Sequence, residues 1–240
     1  MDLEKYYWQR YRLFSRYDEG VLLDDESWFS VTPGKRVVYK SEDRLATHRQ
    51  RVLLSNVISS AEKIAEHIAD RLSCDVVVDA FAGAGGNTIQ FARTCKHVVA
   101  IENNEKRLQL AVHNASIYEV ENSVEFILGD AFEMMHALAG IADAVFLSPP
   151  WGGPCYADEK LFDLSAMKPY SALFVVSRAL ELTPNVAILL PKTTTEKQIL
   201  RFLKLNCGNA PDLCEVEYNY LGSRLKTITV YFGNLVRDTF

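Results

Sequence analysis

Residues 76–92 place the strongest constraint on how this chain can fold. They begin with three consecutive valines and Asp79, continue through a glycine-rich turn, and end with apolar residues at helical spacing. This order predicts a buried strand, a loop and a helix, as in parallel α/β sheets. Gly83 and Gly85 allow the backbone to adopt positive φ angles and to approach a ligand closely. The loop lacks the dinucleotide fingerprint, because Thr88 occupies the position of its third glycine.

Three more strand-like runs each end in a polar residue. The runs cover 97–101, 124–128 and 144–147, and the polar residues at their ends are Glu102, Asp130 and Ser148. Because the carboxyl ends of parallel strands form one edge where ligands bind, Asp79 and these three residues are expected to share one cleft. An acid at such a strand end can accept hydrogen bonds from both hydroxyls of a ribose. We expect S-adenosylmethionine to bind there as the methyl donor.

The loop 148–151, with the sequence Ser-Pro-Pro-Trp, suits methylation of an exocyclic amino group on a purine. The lone pair of that nitrogen is delocalised into the ring, so acceptors for both N–H bonds must turn the nitrogen toward sp³ geometry. The Ser148 hydroxyl and the Pro149 carbonyl are suitable acceptors, and two consecutive prolines stiffen the loop. Positioning and aimed dipoles supply most of the rate, so no strong general base is required. Trp151 offers a flat face whose stacking on the base contributes about 1 to 3 kcal/mol, and a cationic base would be attracted further.

The composition excludes several other classes of protein. The chain has 240 residues, 48% hydrophobic and 24% charged, enough for one sizeable core plus an appendage. We expect neither membrane insertion nor secretion, because no apolar stretch has the length of a membrane span and no signal-peptide pattern is present. Five cysteines without a close pair, together with scattered histidines, predict a reducing compartment and no metal site. The net charge of −5 predicts that only an end or a small piece of a nucleic acid is held.

Smaller elements are predicted toward both ends of the chain. Tyr7, Tyr11 and Phe14 fall at helical intervals within a segment that interleaves aromatic and arginine residues, which predicts a short amphipathic helix. This helix either only docks on the catalytic domain or forms a lid over the ligands. The other predicted elements are a helix at 172–181, a buried strand at 185–190 and an antiparallel pair at 215–220 and 227–232. The sheet is therefore expected to be mostly parallel with a closing hairpin.

Eight segments closely resemble the catalytic domain of trimethylguanosine synthases. They cover 5–6, 9–16, 28–33, 62–69, 77–81, 85–92, 146–154 and 225–229, and include the Ser-Pro-Pro-Trp loop. The resemblance implies an α/β fold of the class I S-adenosylmethionine-dependent methyltransferases, which is Rossmann-like. It divides the chain into an N-terminal helical extension or lid at 1–33, an insertion at 34–61 and a methyltransferase domain at 62–240.

The resemblance also implies a reaction and a setting. The family makes two successive transfers to N2 of a 7-methylguanosine cap, which gives the 2,2,7-trimethylguanosine cap of small nuclear and nucleolar RNAs. The expected substrate is therefore a capped small RNA, with small ribonucleoprotein proteins as recruiters. Residence in the nucleus, with the nucleolus included, follows from the same resemblance.

The family's functional positions carry over to named residues. The positions that match donor-binding residues or the glycine loop are Phe14, Thr32, Asp79, Gly83, Gly85, Asn87, Glu102 and Asp130. The positions that match cap-binding residues are Lys5, Trp151, Tyr156, Lys192 and Lys226, with Trp151 stacking on 7-methylguanine. Relatives can carry aspartate in place of Glu102, whose longer side chain still reaches the ribose hydroxyls. They commonly have arginine in place of Lys192, so phosphate affinity is expected to be weaker here. Catalysis is assigned to Ser148, Pro149 and Trp151.

The insertion at 34–61 has no counterpart in the family. Its basic residues include Arg36, Lys40, Arg44, Arg49 and Arg51, and it has no clear core-facing period, so we expect an exposed loop, with a partial helix at 41–54. A sharper hypothesis is a retained intron, because the codons for Gly34-Lys35 and Ser55-Asn56 can resemble a splice donor and a branch site. Extra residues beside Thr32 are expected to displace the lid and weaken donor binding.

Two other functions remain open from the sequence. The Ser-Pro-Pro-Trp loop also suits a different amino methyltransferase, acting on adenine N6 or on an internal guanine N2. The second alternative is a cap-binding scaffold with an inactive donor site, against which the intact glycine loop and Asp79 argue.

Overall fold

The computed structural model describes residues 7–30, 41–45, 51–58, 61–151, 162–165, 167–205, 209–221 and 223–237. The helices are α1 (Arg10–Leu13), α2 (Ser27–Ser30), α3 (Ala61–Arg71), α4 (Gly86–Thr94), α5 (Glu105–Ile117), α6 (Ala131–Met135), α7 (Ala172–Leu182) and α8 (Glu196–Ile199). The strands are β1 (Ser41–Leu45), β2 (Arg51–Ile58), β3 (Val76–Asp79), β4 (His97–Glu102), β5 (Val124–Leu128), β6 (Ala144–Leu147), β7 (Val186–Pro191), β8 (Leu213–Leu221) and β9 (Arg224–Phe232). Among the helices of these ranges, none is long and apolar enough to cross a membrane.

All the strands join one sheet in the order β1-β2-β8-β9-β7-β6-β3-β4-β5. Strands β5, β4, β3, β6 and β7 are parallel to one another, and β9 runs antiparallel to both β7 and β8. The predicted parallel sheet with a closing hairpin is confirmed. The strand order reverses at β3, which pairs with β4 on one side and β6 on the other, and a ligand cleft is expected at such a switch point.

The central strands are buried on both faces, which explains their continuous apolar sequences. Successive side chains of a strand point to opposite faces, so Val77 and Val78 belong to different hydrophobic clusters. The cluster that contains Val78 includes α7, whereas the cluster that contains Val77 includes α3 and Phe91 of α4. The sheet therefore has helices packed on both faces, and its strand ends are rigidly positioned.

The N-terminal extension buries Phe14 as predicted, but not Tyr7 and Tyr11. Helix α1 is a single turn, and its C-cap residue Phe14 has extended backbone angles. Leu13 and Phe14 are buried in a cluster with Val21, Ile89, Ala115 and Tyr118. Tyr7 and Tyr11 are 46% and 49% exposed, so the predicted apolar face through these two tyrosines is wrong. A helix of one turn is too short to bury residues seven positions apart on the same face.

The insertion contains two strands where a loop with a partial helix was expected. Strand β2 pairs parallel to β8 over its whole length, from Arg51 opposite Leu213 to Ile58 opposite Tyr220, and β1 pairs antiparallel to β2. The prediction was wrong for these residues because β8 offers unpaired backbone groups, which an added strand can satisfy. Residues 31–40, 46–50 and 59–60 lie outside the described residues. The domain boundaries, the effect on the lid and the intron origin stay predictions.

A buried ionic network joins α3 to the hairpin. The Arg71 guanidinium donates to Glu215 at 2.6 Å and to Glu217 at 3.3 Å, and lies 3.9 Å from the centre of the Tyr231 ring. Glu217 also accepts from the Tyr231 hydroxyl at 3.0 Å and lies 2.8 Å from the His67 imidazole. All five side chains are buried, so the two carboxylates depend on these partners for charge compensation.

Candidate active site

A cleft of about 230 Å³ lies beyond the carboxyl ends of β3, β4, β5 and β6. Its lining residues are Ala80–Ala84, Gly86, Asn87, Ile101–Asn103, Arg107, Gly129–Phe132, Ser148–Trp151, Pro169, Tyr170, Glu26 and Ser27. The glycine loop, the strand ends that carry Glu102 and Asp130, and the Ser-Pro-Pro-Trp loop therefore line one cleft. This is the edge of an open α/β sheet at which ligands bind.

The glycine loop is held in a shape that only glycine adopts easily. Gly83 and Gly85 have φ angles of +54° and +88°, in the left-handed region. A Cβ atom on Gly85 would also lie 3.2 Å from the Cα atom of Ala111 in α5, so this glycine supports close packing behind the loop. Gly83 lines the cleft, and no heavy atom would lie within 4 Å of a Cβ there. Gly83 therefore leaves open space at the cleft.

Glu102 is fixed at the end of β4 by backbone donors. One carboxylate oxygen accepts from the Gly83 amide at 2.9 Å, and the other accepts from the Asn104 amide at 3.0 Å. The Arg107 guanidinium lies 3.5 Å from the same carboxylate. Each carboxylate oxygen has a second lone pair, so Glu102 can still accept hydrogen bonds from a ligand.

Asp79 lies beneath the cleft and not in its lining. It is only 1% exposed, and the Thr88 hydroxyl donates to its carboxylate at 2.7 Å. Burial raises the pKa of Asp79 from 3.8 to about 6, although hydrogen bonds from the Thr88 hydroxyl and the Phe81 amide act in the opposite direction. The expectation that Asp79 shares the cleft surface is corrected, because the glycine loop covers this strand end. Asp79 contacts the first turn of α4 through Thr88.

An aromatic wall borders the cleft beside Asp130. The Asp130 carboxylate caps α6 by accepting from the Phe132 amide at 2.8 Å. The Phe132 ring lies 6.2 Å from the Phe81 ring and 4.6 Å from the Tyr170 ring, edge to face in both cases. The wall can pack against the flat face of a bound base while the unshared carboxylate lone pairs accept hydrogen bonds.

The Ser-Pro-Pro-Trp loop begins at the end of β6. The Ser148 hydroxyl donates to the Phe81 carbonyl at 3.2 Å, which leaves the lone pairs of the hydroxyl oxygen available as acceptors. Trp151 is half-buried, lines the cleft and packs against the hydrophobic clusters of both sheet faces. Its indole is therefore anchored by the core while part of the residue borders the cleft.

The extension contacts the cleft through α5. The Asn114 side chain accepts a hydrogen bond from the Leu22 amide and donates one to the Leu22 carbonyl, both at 2.8 Å. It also donates to the Ala84 carbonyl at 2.9 Å. Arg107 lies 2.9 Å from Glu26 of the extension. These contacts hold the segment that brings Glu26 and the buried Ser27 to the cleft.

Comparison with known proteins identifies the family. The profile of the RNA cap guanine-N2 methyltransferases matches residues 74–235, which contain every strand end described above. The chain belongs to the RNA cap guanine-N2 methyltransferase family. The resemblance seen in the sequence is thereby confirmed.

The relatives and the fold of this cap methyltransferase agree with that assignment. It is 37% identical to the trimethylguanosine synthase of Schizosaccharomyces pombe over 204 residues, which cover 83% of this chain and 75% of the relative. It is 31% identical to the trimethylguanosine synthase of Saccharomyces cerevisiae over 236 residues, covering 96% and 67%. A solved structure from Porphyromonas gingivalis W83, described as a putative methyltransferase, shares the fold, with a TM-score of 0.56 and 15% identity over 75% of this chain and 42% of that one.

The structure of the cap methyltransferase brings some of the predicted site residues together. The predicted residues that line the cleft are Gly83, Asn87, Glu102, Asp130, Ser148, Pro149 and Trp151. Gly85 shapes the loop from behind, and Phe14 is buried in the cluster around Ile89, so neither lines the cleft. Lys5, Thr32 and Tyr156 lie outside the described residues. The roles assigned to all these residues stay predictions.

Two predicted phosphate-binding lysines lie at neighbouring positions of the same sheet edge. Pro191 at the end of β7 pairs with Thr227 in β9, so Lys192 and Lys226 are the next residues along the two strands. This end of β7 lies beside the end of β6, from which the Ser-Pro-Pro-Trp loop begins. The two lysines do not line the cleft itself, and their position suits a ligand that extends out of it.

Sequence reasoning missed the aromatic wall and the contacts of α5. Phe132 and Tyr170 are far apart in the sequence, and no local pattern relates them. Asn114 did leave a signal, because it lies at helical spacing with Ala111 and Ala115 on an otherwise apolar face. A polar residue at such a position needs partners, and here they come from the extension and the glycine loop.

Asp79→Asn is expected to stabilise the cap methyltransferase above pH 6. The folded-state pKa of about 6 exceeds the usual 3.8, so the native protein loses stability as the pH rises from 3.8 through about 6. The full loss is about 3 kcal/mol, since each pKa unit corresponds to 1.36 kcal/mol. Asparagine does not titrate, and its amide oxygen still accepts from Thr88.

Urea unfolding of both proteins at about pH 5 and about pH 8 measures this effect, and the variant should gain about 1.5 kcal/mol on the native protein over that interval. All other titrating groups are the same in the two proteins, so their contributions cancel in the stability difference between them. A stability difference between the two proteins that stays constant with pH would contradict the buried, titrating Asp79.

Proposed function

We propose that this chain transfers methyl groups from S-adenosylmethionine to N2 of the 7-methylguanosine cap of RNA, giving 2,2,7-trimethylguanosine after two transfers. The observation that carries the proposal is that the Ser-Pro-Pro-Trp loop and the glycine loop line one cleft in a member of the cap guanine-N2 methyltransferase family. A donor site and an amine site must adjoin for methyl transfer.

The residues of the cleft fit the donor. Gly83 leaves space for close approach, and Glu102 is held by two backbone amides with lone pairs to spare for ribose hydroxyls. The Ser27 hydroxyl is buried at the cleft without a hydrogen-bond partner among the described residues, as expected of a group that pairs with a ligand. When bound, the donor supplies an electrophilic methyl group on a sulfonium.

The loop 148–151 supplies the chemistry on the cap side. The Ser148 oxygen and the Pro149 carbonyl accept from the two N–H bonds of the 2-amino group and favour sp³ geometry at the nitrogen. Because the attacking amine loses its proton after transfer, no strong base is required. Trp151 stacks on 7-methylguanine, whose positive charge is attracted to the indole face. Lys192 and Lys226 then bind the cap phosphates that extend out of the cleft.

The proposed function also implies particular RNA substrates, a cellular compartment and recruiting proteins. We infer capped small nuclear and nucleolar RNAs as substrates, the nucleus as the compartment and small ribonucleoprotein proteins as recruiters. The support is the similarity to two trimethylguanosine synthases, together with the net charge of −5, which suits a protein that holds only the cap.

Mass spectrometry of cap analogues incubated with the protein and S-adenosylmethionine tests the proposal. The expected result is a gain of one or two methyl groups on 7-methyl-GTP and none on GTP, since only the methylated base is cationic. Equal methylation of both nucleotides would point to another amino methyltransferase. Calorimetry with S-adenosylhomocysteine provides the second arm, because a scaffold with an inactive donor site would not bind it.

A further inference from the structure

The N-terminal extension exposes three large aromatic side chains next to one another. Trp8 is 70% exposed, the largest exposed fraction of any large hydrophobic residue in the described ranges, and Tyr7 and Tyr11 are about half exposed. We call Tyr7, Trp8 and Tyr11 the N-terminal aromatic surface. Single exposed apolar residues are common, but a contiguous aromatic group on a surface marks an interaction site.

This surface is held in place before any ligand binds. The Arg10 guanidinium lies 4.2 Å from the Tyr7 ring centre and 4.3 Å from that of Tyr11. It donates to the Tyr7 carbonyl at 3.1 Å and to the Tyr11 hydroxyl at 3.0 Å, and the Tyr11 hydroxyl donates to Asp18 at 2.8 Å. Preorganised rings lose less conformational entropy when a ligand stacks on them.

The surface is continuous with the rim of the active-site cleft. The Trp8 and Tyr7 ring centres are 6.4 Å apart, and the Tyr7 ring lies 6.3 Å from that of Trp28. Trp28 directly follows Ser27, which lines the cleft. A polymer whose first unit is held in the cleft can therefore continue onto the N-terminal aromatic surface.

We propose that the N-terminal aromatic surface binds single-stranded nucleotides of the RNA body, beyond the first nucleotide after the cap. The inference rests on the proposed function and names a contact with the RNA body in addition to the cap. Bases stack on Trp8 and Tyr11 whatever their sequence, because every base has a π-face. Arg12 is exposed and forms no ion pair with a described residue. Its guanidinium binds a phosphate of the RNA.

The chemistry of the surface favours RNA over a protein partner. Arginine and aromatic side chains alternate along the extension, the combination that single-stranded nucleic-acid sites use. The chain as a whole carries a charge of −5, so the positive charge needed for phosphates must be local, and here it comes from Arg10 and Arg12. The surface suits a few nucleotides of the RNA body.

Binding of two ligands to the native protein and to Trp8→Ala tests this inference. The ligands are a capped dinucleotide and a short capped oligouridylate, measured by fluorescence anisotropy with S-adenosylhomocysteine present. The native protein should bind the oligouridylate more tightly. Loss of Trp8 should weaken oligouridylate binding by about 5-fold to 100-fold, the equivalent of one lost stacking contact, and leave dinucleotide binding unchanged.

Matched control variants lie at the opposite edge of the sheet. Ile141 is 56% exposed and precedes β6, and Arg93 is exposed in the last turn of α4. Ile141→Ala and Arg93→Gln should change neither affinity, whereas Arg12→Gln should weaken only the oligouridylate. Trp8→Phe should recover most of the lost affinity, because phenylalanine also stacks.

Each outcome bears on a different claim. Unchanged oligouridylate binding by Trp8→Ala would overturn the inference and leave the surface to a protein partner, while methylation of the dinucleotide would keep the proposed function intact. An equal loss for both ligands would also overturn it, by assigning Trp8 to the cap site or to folding. If the native protein methylates neither capped ligand, the proposed function fails instead.

Discussion

Trp151→Ala is expected to lower kcat/KM for methylation of 7-methyl-GTP by about a hundredfold to several thousandfold. Stacking on the indole contributes about 1 to 3 kcal/mol, and the attraction between the cationic base and a desolvated ring adds about 2 kcal/mol. Both interactions are lost with the ring. The initial rate of methyl transfer to 7-methyl-GTP is the measurement, at donor concentrations that saturate the enzyme.

The proposed donor site provides the control for this variant. Glu102 and Gly83 lie at other strand ends, so affinity for S-adenosylhomocysteine should stay within about twofold, provided the protein is folded. Trp151 also packs against the core, so Trp151→Phe is a necessary companion that keeps a stacking ring and most of the packing. It should retain more activity than the alanine variant. Native-like turnover by Trp151→Ala would remove the indole from the mechanism.

The positions of the central strands along the chain and much of the cleft followed from local sequence patterns. The runs 76–78 and 144–147 are apolar throughout because the central strands are buried on both faces, so their ends could be located and the polar residues that follow them grouped. Glu102, Asp130 and Ser148 were placed in the cleft by this reasoning alone. The apolar pattern of the strands and their parallel arrangement are enough to place a polar residue in the cleft when that residue follows the end of a strand.

The remaining features depend on contacts between distant segments. Asp79 ends its strand as predicted, but the loop that follows folds over it, which no spacing reveals. Strand β2 forms because β8 has a free edge, a property of the assembled sheet. Asn114 and Arg107 carry the contacts between the extension and the cleft, and their partners are far away in the sequence. Such features need the tertiary structure.

Arg71→Met is expected to destabilise the protein by about 3 to 5 kcal/mol, the typical cost of removing one partner of a buried ion pair. The guanidinium compensates Glu215 and Glu217, which are both at most 3% exposed. Without it, two buried carboxylates that neighbour each other on one face of β8 lose their guanidinium partner, while the His67 imidazole still lies 2.8 Å from Glu217. Urea unfolding at neutral pH measures the loss.

The pH dependence of this loss separates charge from packing. Unpaired buried carboxylates have raised pKa values and bind protons in the folded state more tightly, so the variant should regain stability as the pH falls. A cavity alone would cost the same at each pH. Combining Arg71→Met with Glu215→Gln and Glu217→Gln should recover part of the stability at neutral pH, and Arg93→Met, at an exposed site, should cost within about 0.5 kcal/mol. A pH-independent loss in Arg71→Met would show that the guanidinium acts by packing over Tyr231 and not by compensating charge.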